Sequence, residues 1–211
     1  MIIKKNIVGK LSTNSYLIID EISKEAAIID PGFESEKIIE FIDNEDCILK
    51  YIILTHAHFD HAFEVSAIKE KYNAKIIAHK NSKIVLSDDN HNLAKDFLGK
   101  SINIEINKND IFLEDYEKFK VGNIEVKLIH IGGHTIDSSA FYIEKENIIF
   151  TGDTLFYESI GRTDFYYGNY EILINNIKNK ILILEDKTIV YPGHGIDTTI
   201  KHEKEKNIYL K

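Results

Sequence analysis

Cysteine is almost missing from this 211-residue chain, where Cys47 stands alone. A lone thiol excludes an internal disulfide and favours a reducing, cytoplasmic compartment. Cys47 itself reads as an inert thiol. Proline occurs twice and glycine eleven times, too few for a long flexible linker. Met1–Lys10 lacks an apolar stretch of signal-peptide length, and no window is long and apolar enough to span a membrane. Positive charge is also in deficit, with 26 Lys and Arg against 34 Asp and Glu and a net charge of −8. Phosphate backbones are held by clustered Lys and Arg, so nucleic acid is not an expected partner. What remains has ordinary globular composition, 44% hydrophobic and 28% charged, and we expect one domain over residues 1–211.

Apolar runs rich in Ile, Val and Tyr predict strands at Ile2–Val8, Ser15–Ile19, Ala26–Ile29, Tyr51–Leu54 and Lys75–Ala78. Further strands are expected at Lys118–Val121, Ile124–Ile131, Ser139–Ile143, Ile148–Phe150 and Thr188–Tyr191, with Gly122-Asn123 as a hairpin turn. Ser35–Ile42 reads as a short helix. A second helix is expected from His61, because Ala62, Val65, Ile68 and Tyr72 share one helical face. Tyr170, Leu173, Ile174, Ile177, Ile181 and Leu184 mark an amphipathic helix, and Thr199–Tyr209 a charged terminal one. Lys80–Lys108 is polar and mixed, expected as short helices and loop. Strands before, between and after helices imply a mixed α/β chain with two sheets.

The chemistry concentrates in Thr55-His56-Ala57-His58-Phe59-Asp60-His61, directly after a buried strand. His56 and His58 are two residues apart, so an extended backbone points both rings to one side. Asp60 and His61 follow where the chain turns into a helix. Imidazole nitrogen and carboxylate oxygen suit Zn²⁺ and other divalent first-row ions. Four such groups so close divide more naturally between two ions than around one. Three more candidates each follow an apolar strand and a glycine: His134 in Gly132-Gly133-His134-Thr135, Asp153 in Thr151-Gly152-Asp153-Thr154, and His194 in Pro192-Gly193-His194-Gly195. Glycine lets the backbone come close to a buried ion, and a carboxylate such as Asp153 can bridge two cations.

This ordered series, His-x-His-x-Asp-His, Gly-His-Thr, Thr-Gly-Asp-Thr and Pro-Gly-His-Gly, resembles the metallo-β-lactamase-fold hydrolases. Within them it is most similar to glyoxalase II (hydroxyacylglutathione hydrolase) and its shorter relatives. Ile29-Asp30-Pro31-Gly32, Gly161-Arg162-Thr163-Asp164-Phe165, and Thr198-Thr199-Ile200 with Glu203 extend the match over nearly the whole chain. The resemblance implies a four-layer αββα sandwich with its site at one edge of the two sheets. It implies one metal on His56, His58 and His134, a second on Asp60, His61 and His194, and Asp153 between them. Zinc is the first expectation for the two divalent ions, with iron or manganese as alternatives. The implied activity is hydrolysis of a small-molecule thioester or ester by a hydroxide bridging two metals, with Asp60 as the candidate catalytic residue orienting it. Glyoxalase II carries a C-terminal helical domain that supplies basic residues for glutathione. This chain reads as a short form without it, and neither the acyl group nor the leaving thiol is readable from the sequence.

The remaining histidines, His79, His91, His130 and His202, read as structural or exposed, His130 being the nearest to a candidate. Arg162 and Asp164 read as an ion pair bracing a loop, Asp30 as a strand-end turn residue rather than a ligand, and the terminal helix as a solvated face. Tyr157, Tyr166, Tyr167 and Tyr170 line a substrate pocket or simply pack. Two rival functions stay open on the same pattern. A mononuclear iron persulfide dioxygenase would use His56, His58, His134 and Asp153. An RNA-processing nuclease shares the first motif, but the acidic balance weighs against it. A β-lactamase is disfavoured, because those enzymes are exported and do not use a bridging carboxylate like Asp153.

Overall fold

The computed structural model describes residues 1–102 and 104–211. Within the segment Lys80–Lys108, expected as short helices and loop, position 103 lies outside the described residues. The first half of the chain builds one six-stranded sheet from β1 (Ile2–Val8), β2 (Thr13–Ile19), β3 (Glu25–Ile29), β4 (Ile48–Ile53), β5 (Lys75–His79) and β6 (Ile111–Leu113), in that spatial order. β1 to β3 pair antiparallel and β3 to β6 pair parallel. Parallel neighbours need a crossover. Helices α1 (Ser35–Asp43), α2 (Phe59–Ala62), α3 (Val65–Tyr72), α4 (Ser82–Leu86) and α5 (Ala94–Leu98) fall within those crossovers.

The second half builds the second sheet from β7 (Lys118–Val121), β8 (Ile124–His130), β9 (Ser139–Ile143) and β10 (Ile148–Gly152), all antiparallel. A small hairpin of β11 (Leu155–Phe156) and β12 (Ser159–Ile160) follows. Helix α6 (Tyr170–Asn176) then returns the chain to β13 (Ile189–Pro192), which lies parallel to β10. Strand β14 (Thr198–Thr199) closes that edge before helix α7 (Ile200–Lys206).

Successive strand residues face opposite ways, and the burial follows that period. Leu17, Ile19, Ala26 and Ile28 pack outward against Ile38 and Ile42 of α1 and Val65 and Ile68 of α3. Their neighbours Tyr16, Ile18, Ala27 and Ile29 pack inward against Val126, Leu128, Phe141 and Phe150 of the second sheet. On the far side Ile129, Ala140, Tyr142 and Ile149 meet Leu173, Ile174, Ile177 and Ile200. Three apolar layers therefore separate four structural layers, the αββα arrangement expected from the sequence.

Three departures have local causes. The helix expected to run on from His61 breaks between α2 and α3. There the Glu64 amide donates to the Gly32 carbonyl at 3.0 Å rather than to its own helix. The Pro31-Gly32 turn crosses the end of α2 so closely that a Cβ on Gly32 would lie 2.3 Å from the Asp60 carbonyl oxygen. Helix α6 continues as a π-helical turn over Ile177–Ile181, with Ile177 and Ile181 both in the core. The terminal helix is not simply solvated. Glu203 is buried and accepts from Thr198 Oγ1 at 2.7 Å, Asn207 Nδ2 at 2.8 Å and the Glu158 amide at 3.1 Å, tying α7 to the turn between β11 and β12.

Phe141 is fully buried between the two sheets. Phe141→Ala should lower unfolding free energy by about 3–5 kcal/mol, read as a lower denaturant midpoint. An unchanged midpoint would mean the two sheets are not held by this layer.

Candidate metal centre

All seven candidate ligands lie on loops or a helix start at one edge of the sandwich. His56, His58, Asp60 and His61 follow β4, His134 follows β8, Asp153 follows β10 and His194 follows β13. The last three strands run in one direction, so their carboxyl ends emerge together, the usual place for a site in such sheets. His58 precedes α2 with an extended backbone (φ −62°, ψ 149°). That lets the chain turn from strand to helix without separating the His58 ring from its neighbours.

The structure gathers the ligand-type atoms of His56, His58 and His134 within 4.8 Å of one another, and likewise those of Asp60, His61 and His194. Asp153 joins His56 and His61 in a third such group. Its two oxygens divide between the sets. Oδ1 lies 3.3 Å from His61 Nε2 and 3.5 Å from His194 Nε2, and Oδ2 lies 3.9 Å from His134 Nε2. Asp60 Oδ2 is 3.3 Å from His194 Nε2 and 3.6 Å from His61 Nε2. Gly193 permits the approach, since a Cβ there would stand 2.3 Å from Asp153 Oδ1 and 2.8 Å from the His61 ring.

The outward nitrogens of four rings are tied down. His134 Nδ1 meets the Arg162 carbonyl at 2.7 Å, and His194 Nδ1 the Leu11 carbonyl at 3.0 Å. A carbonyl only accepts, so both Nδ1 atoms carry the proton and both Nε2 atoms offer lone pairs inward. His61 Nδ1 meets Asp30 Oδ2 at 2.9 Å, and His56 Nδ1 lies 3.2 Å from Thr55 Oγ1. Thr55 in turn donates its amide to Asp30 Oδ1 at 2.8 Å and its hydroxyl to Asp30 Oδ2 at 2.6 Å. His58 differs, facing His134 Nε2 through Nδ1 at 3.1 Å.

Asp30 is thus more than the turn residue expected from the sequence. It does turn the chain after β3, at φ +50°, but its buried carboxylate also fixes His61 and Thr55. The signals in the sequence were an acidic residue between a strand and Pro-Gly and the place of Ile29-Asp30-Pro31-Gly32 in the family resemblance. The ion pair of Arg162 and Asp164 is present, with guanidinium–carboxylate contacts of 2.9 and 2.7 Å, and is exposed. Arg162 acts on the site through its carbonyl. His79 and His130 stack on each other at 3.9 Å, and His202 stacks on Tyr157 at 4.7 Å. His91 lies against Tyr167 at 4.7 Å. Among the described residues, none of these four histidines joins the candidate metal groups.

Such a cluster is poorly satisfied by protons alone. His56 Nε2, His61 Nε2 and Asp153 Oδ1 are buried with no hydrogen-bond partner, a costly state for polar atoms unless something binds there. The donor set of imidazoles and carboxylates fits first-row divalent cations. Burial, reinforced by the neighbouring imidazoles, holds His56 far below the ordinary histidine range and pushes His58 down to about 3. Burial also opposes charge on His61 and His194, but Asp60 and Asp153 outweigh it and raise both.

A family model described as the metallo-beta-lactamase superfamily matches residues 8–194. The chain belongs to that superfamily. A relative, hydroxyacylglutathione hydrolase GloC of Haemophilus influenzae, is 36% identical over 197 residues, 93% of this chain and 92% of that one. The solved B3 metallo-beta-lactamase BLEG-1 superposes with a TM-score of 0.92 at 35% identity, covering 100% of both chains. TTHA1623, in a di-iron-bound form, superposes with a TM-score of 0.85 at 30% identity over 98% of this chain and 100% of that one. The metallo-β-lactamase fold expected from the motifs is therefore the fold observed.

Two outcomes follow from this geometry. Asp30→Asn should leave the fold intact by circular dichroism yet weaken cation affinity by about 10–100-fold in a chelator competition. Unchanged affinity would show that Asp30 does not orient His61. The raised groups set the pH response. A cation at Asp60, His61 and His194 must displace protons that His61 and His194 retain at pH values where His56 and His58 are already neutral. As pH falls from 8 to 5 in equilibrium dialysis, the chain should lose one cation equivalent before the other. Simultaneous loss of both would contradict this.

Proposed function

We propose that this superfamily member is a dinuclear metallohydrolase that cleaves a small thioester or ester. The observation that carries the reading is the division of the Asp153 carboxylate, with one oxygen toward His61 and His194 and the other toward His134. His56, His58 and His134 would hold one cation, Asp60, His61 and His194 the other, and Asp153 would be shared. Bound there, two divalent ions would supply Lewis acidity and an ionised water, zinc being the first expectation and iron or manganese the alternatives.

The chain's own residues do the rest. Asp30, Thr55 and the carbonyls of Arg162 and Leu11 hold the imidazoles in one tautomer and one orientation, so no reorganisation is needed during turnover. The Asp60 carboxyl is held below the ordinary range. Burial resists this, but His61 and His194 beside it prevail. Ionised Asp60 accepts a hydrogen bond from the attacking water and sets its direction toward the acyl carbon. No side-chain nucleophile is required, and Cys47 packs against the outer apolar layer, away from the site. The likeness to the hydroxyacylglutathione hydrolase supports thioesters as the substrate class, and the likeness to BLEG-1, a B3 metallo-beta-lactamase, makes a β-lactam the rival substrate to assay beside them. A one-iron persulfide dioxygenase would leave Asp60, His61 and His194 without a common task, which favours hydrolysis.

The test is metal content by elemental analysis and thioester hydrolysis on one preparation. Near two cations per chain with turnover is expected. Asp153→Asn should lower both the second cation's occupancy and kcat/KM. One iron per chain with oxygen uptake on a persulfide would replace this reading.

A further inference from the structure

Beside the candidate centre lies an open groove of about 600 Å³, lined by Leu11, Phe33, Phe59, Phe97 and Leu98 with Lys10 and Glu34 at its margin. Its walls are continuous with the site. Leu11 supplies the carbonyl that fixes His194, and Phe59 stands in the chain between His58 and Asp60. From His58 an aromatic path leads outward, to Phe165 at 5.7 Å, then Phe97 at 6.3 Å, then Phe59 at 5.4 Å, then Phe33 at 5.9 Å. Phe97 is 55% exposed and Leu11 is 49% exposed. Large side chains clustered in contact with water beside a reactive centre mark a binding surface.

The charges at the margin narrow the occupant. Glu34 is committed, accepting from the Gly9 amide at 3.0 Å and facing Lys37 at 3.4 Å. Lys10 is left as a single cation against a wall of phenyl and leucyl side chains. Such a surface pairs poorly with a peptide-like group carrying several charges, because those charges would lose water without gaining partners. It fits an alkyl or aryl arm.

Resting on the hydrolase reading above, we propose that this groove binds an apolar arm of the substrate, so that the preferred substrate is a hydrophobic thioester or ester. Phe97 and Leu11 are the specificity-determining residues. The arm belongs either to the acyl group or to the thiol or alcohol, and both present the same surface.

The test uses two series of non-hydrolysable thioether analogues, one lengthening the acyl side from two to eight carbons and one the thiol side. Binding to the purified, metal-containing protein is measured by calorimetry. In one series Kd should fall by up to about fourfold per added methylene, and Phe97→Ala, altering an exposed side chain, should flatten that gain. The responding series identifies the arm. Flat affinity in both series, or a gain unchanged in Phe97→Ala, overturns the proposal. Because no turnover is needed, the two readings fail separately. Length-dependent binding without hydrolysis of the matching thioesters would keep the groove and sink the hydrolase, whereas hydrolysis indifferent to length would do the reverse.

Discussion

The constraint that organises this molecule is the gathering of five imidazoles and two carboxylates, most of them buried, at the seam of two sheets. Protons cannot satisfy the set. Charging His56 or His58 is opposed by burial and by neighbouring rings, while Asp60 and Asp153 demand positive charge close by. The two carboxylates answer part of the conflict by raising the proton affinity of His61 and His194 against the burial that opposes it. The remainder is left as inward-facing nitrogens and one carboxylate oxygen without partners. Burying unpaired ligand atoms together is costly unless something binds there.

The frame of two sheets reaches the site through hydrogen bonds rather than contacts alone. The Ser139 amide donates to the Thr55 carbonyl at 2.8 Å, joining the sheets at the point where the first histidines leave β4. The Asn14 amide donates to the Gly193 carbonyl at 2.7 Å, while Tyr16 and Asn14 side chains both donate to the Pro192 carbonyl. The loop carrying His194 is thereby fixed by the opposite sheet.

Much of this was legible in the sequence, for a physical reason. Strands such as β4, β8 and β10 are rich in Ile, Val, Leu and aromatic residues, and the ligand motifs follow them closely. What was not legible depends on partners distant in the chain. Nothing near Glu64 announces that Gly32 will capture its amide and break the helix. Glu203 looks like one more charge on a polar helix until the turn at Glu158 arrives to satisfy it. Strand β6 is three residues long in a polar region, too short for a periodic signal. The support that Asp30 gives His61 spans 31 residues, so its chemistry was hidden behind an unremarkable turn.

The two sheets are drawn from the two halves of the chain in succession, and the candidate ligands are divided the same way, four from the first half and three from the second. Neither proposed cation set is complete within one half, since His134 and His194 must each come across the seam. If both proposed cation sets are filled, cation binding and docking of the halves become one equilibrium. Free energy released at the metals would be felt as adhesion between the sheets, and a chelator would act as a solvent for the central interface.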